Sequence, residues 1–269
     1  MVAHCPVLIV GHYSHDTLIH SNGFQSAVLG GSSAYIASVF SSLKIPCHVV
    51  AKVGSDFRYL SQVLHPPQVI SGSLTTQFRA DFREGERVEH ALSVCESILA
   101  DDIPSGVRYR LGLVVGIAGE ILPSTLNQVI ESVDCVLCDI QGLIRRVGSE
   151  GRVFHQFLEQ TPFFSSLSKI SFLKVNRFEA NFIDLQKVRQ QTCILVTEGK
   201  EGCSVYAPNQ QFQVPGFPAV EVDPTGAGDC FLAGFGAGLL QNLPLEAAVR
   251  LGNYFGALAV GGVGIPKFP

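Results

Sequence analysis

Apolar and polar residues alternate along this chain in two rhythms. Short runs of almost continuous apolar residues occupy positions 7–11, 111–116, 135–140, 170–175 and 193–197, and such runs predict strands buried on both faces. Between them, apolar residues recur at helical spacing. Ile36, Val39, Phe40 and Leu43 predict a helix over 34–43, and further helices are expected over 123–132, over 179–184, beyond 229 (Phe231, Leu232, Phe235, Leu239, Leu240) and over 245–260 (Ala247, Ala248, Leu251, Phe255, Leu258). Strands separated by helices of this length require crossovers, which predicts an α/β fold built on a mostly parallel sheet. Two stretches break the rhythm. Residues 75–82 alternate like an edge strand followed by the polar turn Arg83-Glu84-Gly85-Glu86-Arg87, and 212–222 reads as an edge strand or a loop.

Composition narrows the class. With 269 residues, 46% hydrophobic and 16% charged, the chain can bury a large core, and no repeat or low-complexity linker divides it, so residues 1–269 read as one domain. A net charge of −4 without a lysine and arginine run argues against nucleic acid and favours small-molecule partners. The first residues lack a basic segment, and no apolar run approaches the roughly 18 residues of a membrane span. A soluble, cytoplasmic protein is expected. The eight cysteines are scattered among expected strands and helices, as reduced thiols would be. Cys135 and Cys138 lie in one strand with side chains on opposite faces, a poor zinc or redox pair. Cys230, at a helix start, could carry a lowered pKa, but inert packing is the expectation.

Chemistry concentrates at Asp223-Pro224-Thr225-Gly226-Ala227-Gly228-Asp229, where a turn opens a helix. Free N–H groups, the positive end of the helix dipole and two glycines make a cradle for an anion. Asp229 stands where negative charge is favoured, so it is expected to be ionised at pH 7 and able to accept a proton from a hydroxyl beside the cradle. A proton acceptor next to a phosphate site suggests phosphoryl transfer to an alcohol. The plain alternative is a capped helix start with Asp223 or Thr225 as the cap. Upstream, Asp16 follows a buried strand at the edge where open α/β sheets bind ligands, and its carboxylate could accept from two neighbouring hydroxyls or simply occupy a surface turn. Gly30-Gly31 before a helix allows close approach of a ligand or a hinge. His12 and His15 lack a third convergent partner for a metal.

The run Asp223 to Asp229, continued by Cys230-Phe231-Leu232-Ala233-Gly234-Phe235, resembles the C-terminal signature of the ribokinase-like (PfkB) carbohydrate kinases. The dinucleotide fingerprint fails at Phe231, and no Walker A pattern is present. The resemblance implies a three-layer α/β/α fold with a mostly parallel central sheet and a small β lid, the lid elements lying at roughly 17–28 and 69–90. It implies ATP and Mg2+ as cofactors, Asp229 as catalytic base, and a nucleotide site formed by Asn176, Thr197, Gly199, Gly202, Thr225, Gly226, Ala227, Gly228 and Asn253. Asn176-Arg177-Phe178-Glu179 resembles the family's N-x-x-E motif, which implies that Asn176 and Glu179 place the metal through water; a capping box would satisfy the same residues. Thr197-Glu198-Gly199-Lys200-Glu201-Gly202 is similar to the family's nucleotide loop, with Lys200 either near the phosphates or solvated.

Asp16, Gly30, Gly31 and Asp229 are implied to hold the acceptor, and Tyr35 stands where many members carry a sugar-binding asparagine, which argues against plain ribose or adenosine. Gly11-His12-Tyr13-Ser14-His15-Asp16, Gly119-Glu120-Ile121-Leu122-Pro123 and Asp139-Ile140-Gln141-Gly142-Leu143-Ile144-Arg145 resemble the cyclitol-phosphorylating branch of the family, which implies conversion of myo-inositol to its 3-phosphate. Three alternatives stay open: a same-fold kinase acting on another sugar, polyol or nucleoside; a non-catalytic nucleotide-binding relative; and, least supported, a nicotinamide-dependent oxidoreductase. A homodimer through the lid is also open.

Overall fold

The computed structural model describes residues 6–19, 23–81 and 88–268. The elements follow in the order β1 (Val7–Val10), β2 (Ser14–Ile19), β3 (Gln25–Gly30), α1 (Ser32–Ser42), β4 (Cys47–Val50), β5 (Lys52–Gly54), β6 (Gln68–Ile70), β7 (Gln77–Asp81), β8 (Val88–Ser93) and β9 (Tyr109–Val114). The chain continues through α2 (Pro123–Ser132), β10 (Val133–Asp139), α3 (Gln141–Ile144), β11 (Arg145–Val147), β12 (Val153–His155), β13 (Phe172–Asn176), α4 (Leu185–Val188), β14 (Cys193–Thr197), β15 (Cys203–Ala207), β16 (Gln210–Val214), α5 (Ala227–Leu240) and α6 (Leu245–Ala259).

Eight strands form the central sheet in the order β16-β15-β14-β13-β10-β9-β1-β4. The six from β14 to β4 are parallel, and the β15–β16 edge is antiparallel. Strand alternation sorts the core into two sides. Val7, Ile9, Leu111, Leu113 and Leu195 pack with α1, α5 and α6, whereas Leu8, Val10, Val114, Val136, Ile194 and Val196 pack with α2 on the other face. This is the three-layer α/β/α arrangement. A second sheet, in the order β3-β2-β7-β8, leaves the central sheet directly after β1 and stands in the place expected of the β lid, and we call it the lid. Among the described residues, no helix is long and apolar enough to cross a membrane.

Several expected boundaries are corrected. The lid begins at Ser14 rather than near residue 17, because β2 pairs with β3 over its whole length. Residues 68–70 are not part of it: β6 pairs with β5 in a separate two-stranded sheet, and the second lid segment starts with β7. The turn Arg83 to Arg87 lies outside the described residues. The helix expected over 179–184 is a single 3-10 turn, Glu179–Phe182, after which Asp184 accepts from the Lys187 N–H and starts α4 afresh. Residues 212–222 divide into the end of β16 and an irregular segment.

Candidate active site

α5 is buried along most of its length, and its neighbour α6 packs so closely that a Cβ on Gly234 would lie 2.8 Å from the Leu251 carbonyl oxygen. That packing fixes the start of α5 against the sheet. Asp223 accepts from the Thr225 N–H at 2.9 Å, the Ala227 N–H reaches the Pro224 carbonyl at 3.2 Å, and Cys230 N–H to Gly226 O at 2.9 Å is the first full helical bond. The Thr225 and Ala227 amides are thereby taken up within the turn, and Gly226 and Gly228 are the glycines that border the cavity ahead of the helix. Gly226 is the N-cap at φ 78, and a Cβ there would overlap the Tyr35 ring, so this position takes glycine on two counts.

Two adjoining cavities meet at this turn. One, of about 200 Å³, is lined by Ser14, Asp16, Gly31, Ser32, Tyr35, Asp139, Gln141, Arg145, Glu179, Thr225, Gly226 and Asp229 among others. The other, of about 310 Å³, is lined by Thr197, Gly199, Lys200, Gly202, Ala227, Asn253, Gly256 and Ala257. Lys174, Asn176, Pro224 and Gly228 border both. The arrangement is a polar, acid-rich chamber under the lid joined through the cradle to a longer cleft beside α6. Asp139, Asn176 and Thr197 all end parallel strands, which is why the cavities lie at one edge of the sheet.

Asp229 faces the acidic chamber. Its carboxyl is pushed up to about 7, chiefly by burial and then by the neighbouring Asp139 carboxylate, against the pull of Lys174, a hydrogen bond from Ser32 and the charge of Arg145. This corrects the expectation of a fully ionised aspartate: desolvation outweighs the helix dipole, and the group is near its midpoint at neutral pH. Gln141 Nε2 donates to Ser32 Oγ at 3.1 Å and so steadies the hydroxyl that serves Asp229.

Lys174 was not among the residues that the sequence singled out. Its Nζ lies 2.8 Å from Asp139 Oδ2, and a Cβ on Gly228 would be 2.8 Å from it. Burial works against its charge, but the Asp139, Glu179 and Asp229 carboxylates hold its pKa above the ordinary lysine value. A permanent cation therefore stands at the junction of the two cavities. The signal was present: a lysine inside an apolar run that must be buried on both faces needs an acidic partner, and the register pairs it with Asp139.

Asn176 and Glu179 form the reciprocal capping box, each backbone N–H donating to the other's side chain at 2.8 Å. Burial raises the Glu179 pKa and Lys174 opposes the rise. Asp16 accepts from Ser14 Oγ at 2.7 Å and lines the acidic chamber with Gly31. Gly30 does not line it; a Cβ there would run into the Asp16 carboxyl, so the glycine makes room for that side chain. Asn253 is buried and its amide donates to the Val214 and Pro215 carbonyls at 3.0 and 3.1 Å, tying α6 to the β16 edge while bordering the cleft.

The histidines have other tasks. His12 Nδ1 lies 3.2 Å from Thr76 Oγ1, and His15 accepts from the Arg58 N–H and stacks on Phe57. The seven described cysteines are free, and burial pushes the thiols of Cys138 and Cys230 well above the usual range, so the helix start does not activate Cys230.

Comparison with known proteins places this geometry. Residues 161–265 match the pfkB family of carbohydrate kinases. Inositol 3-kinase of Zea mays is 42% identical over 97% of this chain and 73% of its own length, and inositol 3-kinase of Arabidopsis thaliana is 42% identical over 97% and 76%. Among solved structures, a pyrophosphate-dependent kinase of the ribokinase family complexed with a pyrophosphate analog and myo-inositol superposes with a TM-score of 0.84 at 18% identity, covering 97% of each chain. Arabidopsis thaliana ribokinase complexed with ribose and ATP gives 0.75 at 20% identity over 98% of this chain and 95% of its own. With the ribokinase fold shared across its length and two-fifths of its residues identical to kinases of known activity, the chain belongs to the pfkB family of carbohydrate kinases.

Proposed function

We propose that the protein is an ATP-dependent kinase that phosphorylates one ring hydroxyl of a neutral cyclitol, converting myo-inositol to its 3-phosphate. The observation that carries this reading is the position of Asp229, which lines the acidic chamber on the first turn of α5 next to Gly228, a residue that borders both the chamber and the cleft. The inositol 3-kinase relatives support the acceptor.

In this mechanism the acceptor lies in the chamber against Asp16 and Gly31. Asp229 accepts the proton of the attacking hydroxyl, a role suited to a carboxyl near neutrality. The amides of Gly226 and Gly228 and the Lys174 ammonium offset charge on the transferring phosphoryl group, and the adenosine end of ATP occupies the cleft walled by Thr197, Gly199, Gly202, Ala227 and Asn253. The reaction is largely one of positioning. The residues fit a hydrated Mg2+: among the described residues no cage of three acidic, histidine or cysteine groups exists, but Asn176 stands at the junction with Glu179 beside it in the chamber, and magnesium keeps several of its waters. Bound there, the ion would neutralise phosphate charge.

The test is direct. Purified protein supplied with myo-inositol, ATP and Mg2+ should yield ADP and a single inositol monophosphate, its position read by NMR. ATP consumption with other polyols, sugars or nucleosides but not with inositol would reassign the acceptor. Nucleotide binding without turnover across the panel would make the protein a non-catalytic relative. Pyrophosphate offered in place of ATP tests the donor, and turnover with it would mean that the cleft beside α6 is not needed to hold a nucleoside.

A further inference from the structure

Among the described residues, four buried side-chain polar atoms have no hydrogen-bond partner: His12 Nε2, Tyr35 Oη, Arg145 Nε and Thr225 Oγ1. The last three belong to residues that line one chamber, the one under the lid. Buried polar groups are nearly always paired within the protein, so a cluster of unpaired ones around one cavity points to a polar ligand. Thr225 lies at the phosphoryl end, in the cradle. Tyr35 comes from α1 and borders the cradle over Gly226, and Arg145 stands away from it on β11.

Tyr35 is 2% exposed, is held in the first turn of α1, and its ring fills the space above the Gly226 Cα. The Asp16 and Asp229 carboxylates are both near enough to bear on its phenol, and burial with those charges keeps the phenol protonated, leaving the hydroxyl free to donate. Arg145 approaches from another element. Its Nη1 donates to the Ile117 carbonyl at 3.1 Å, its Nη2 lies 3.4 Å from Glu89 Oε2 on lid strand β8, and its guanidinium stands 5.8 Å from the centre of the Phe78 ring on β7. Two of its nitrogens thus bind the core and the lid, while Nε has no protein partner.

We propose that Tyr35 Oη and Arg145 Nε read the acceptor, each donating a hydrogen bond to a different hydroxyl of a neutral polyol, with Arg145 linking acceptor binding to the seating of the lid. This rests on the kinase reading above and specifies how its acceptor is chosen. Neutrality follows from charge: Asp16, Glu89, Asp139, Glu179 and Asp229 line the chamber, and its two cations, Lys174 and Arg145, are each already paired with one of them. An acceptor that carries its own phosphate would meet uncompensated negative charge.

The experiment measures acceptor binding by calorimetry in the presence of a non-hydrolysable ATP analogue, for the wild type, Tyr35→Phe and Arg145→Lys, together with nucleotide binding and melting temperature. Each variant should bind myo-inositol about tenfold more weakly, with analogue affinity within about twofold of wild type. Tyr35→Phe should melt at or above the wild-type temperature, because it removes a buried hydroxyl that has no partner in the protein. A variant that binds the acceptor as the wild type does removes its residue from the role. A lower melting temperature in Tyr35→Phe, or a parallel loss of nucleotide affinity, makes the role structural and overturns the proposal. Wild-type protein that bound no inositol would sink the cyclitol reading instead; the same variants then test this one on the acceptor found by a substrate panel, and a phosphorylated acceptor, or none at all, would overturn it.

Discussion

The burial that would suit Asp229 to the proposed role of base comes at some cost to folding. Its pKa in the folded protein, about 7, lies above the ordinary 3.8, so the folded state holds the proton more tightly than the unfolded chain. The stability this contributes is complete below about pH 4 and is lost as pH rises through 7. Asp229→Asn should therefore lower kcat by roughly 10² or more, spare binding of an ATP analogue, and raise the melting temperature at pH 8, with the gain vanishing toward pH 4. Turnover by the wild type should rise about tenfold per pH unit up to about 7 and then level off, since the base must be ionised; a flat profile from pH 5.5 to 8 would remove Asp229 from the role. Lys174 is a different case. Lys174→Met leaves Asp139 buried without its cation, a loss of about 3–5 kcal/mol in chemical denaturation. Adding Asp139→Leu should recover much of that stability but none of the activity. The two residues also differ in legibility: Asp229 sits inside a contiguous signature, whereas the value of Lys174 depends on a partner 35 positions away on the adjacent strand.

At the scale of elements, the opening of α5 is the least tolerant part of the molecule. Gly226→Ala would place a side chain in the left-handed region and against Tyr35, so turnover should fall more than about 10²-fold with a drop in melting temperature; near-wild-type turnover would show that the turn can relax. The parallel strands were legible because burial on both faces leaves apolar runs with no alternation to misread. Of the antiparallel edge only the end of β16 was legible, as the edge-strand reading of 212–222, whereas β15 and the short β11–β12 hairpin were not, since each is a few residues long and is held by pairing rather than by pattern. The misjudged helix at 179–184 has a local cause. The Asn176 and Glu179 capping box does start a turn, but Ile183 is extended, and Asp184 then caps a second start. The site residues read from motifs do gather at the two cavities, except that Gly30 stands behind Asp16; Tyr35 was legible only through the sugar-binding asparagine whose place it takes, and Arg145 comes to line the chamber only from how β11 and the lid come together.

For the whole molecule, the lid and the core are separate sheets joined at the chamber. Binding of acceptor and ATP analogue together should slow amide exchange in β7 and β8 more than in β9 or β10, whose amides are already buried within the sheet; equal protection throughout would mean the lid does not respond. Glu120 limits what such a response can involve. Its carboxylate accepts from the N–H groups of His12, Ile117 and Ala118, fastening the exit of β1 to the loop that follows β9. The backbone between the two sheets is thus pinned one residue before Tyr13, so a pivot of the roof about this connection would begin beyond that rivet. On the proposed function, a roof that swung there to admit a polyol would leave the ends of the parallel strands undisturbed, and only the entrance would have to be rebuilt.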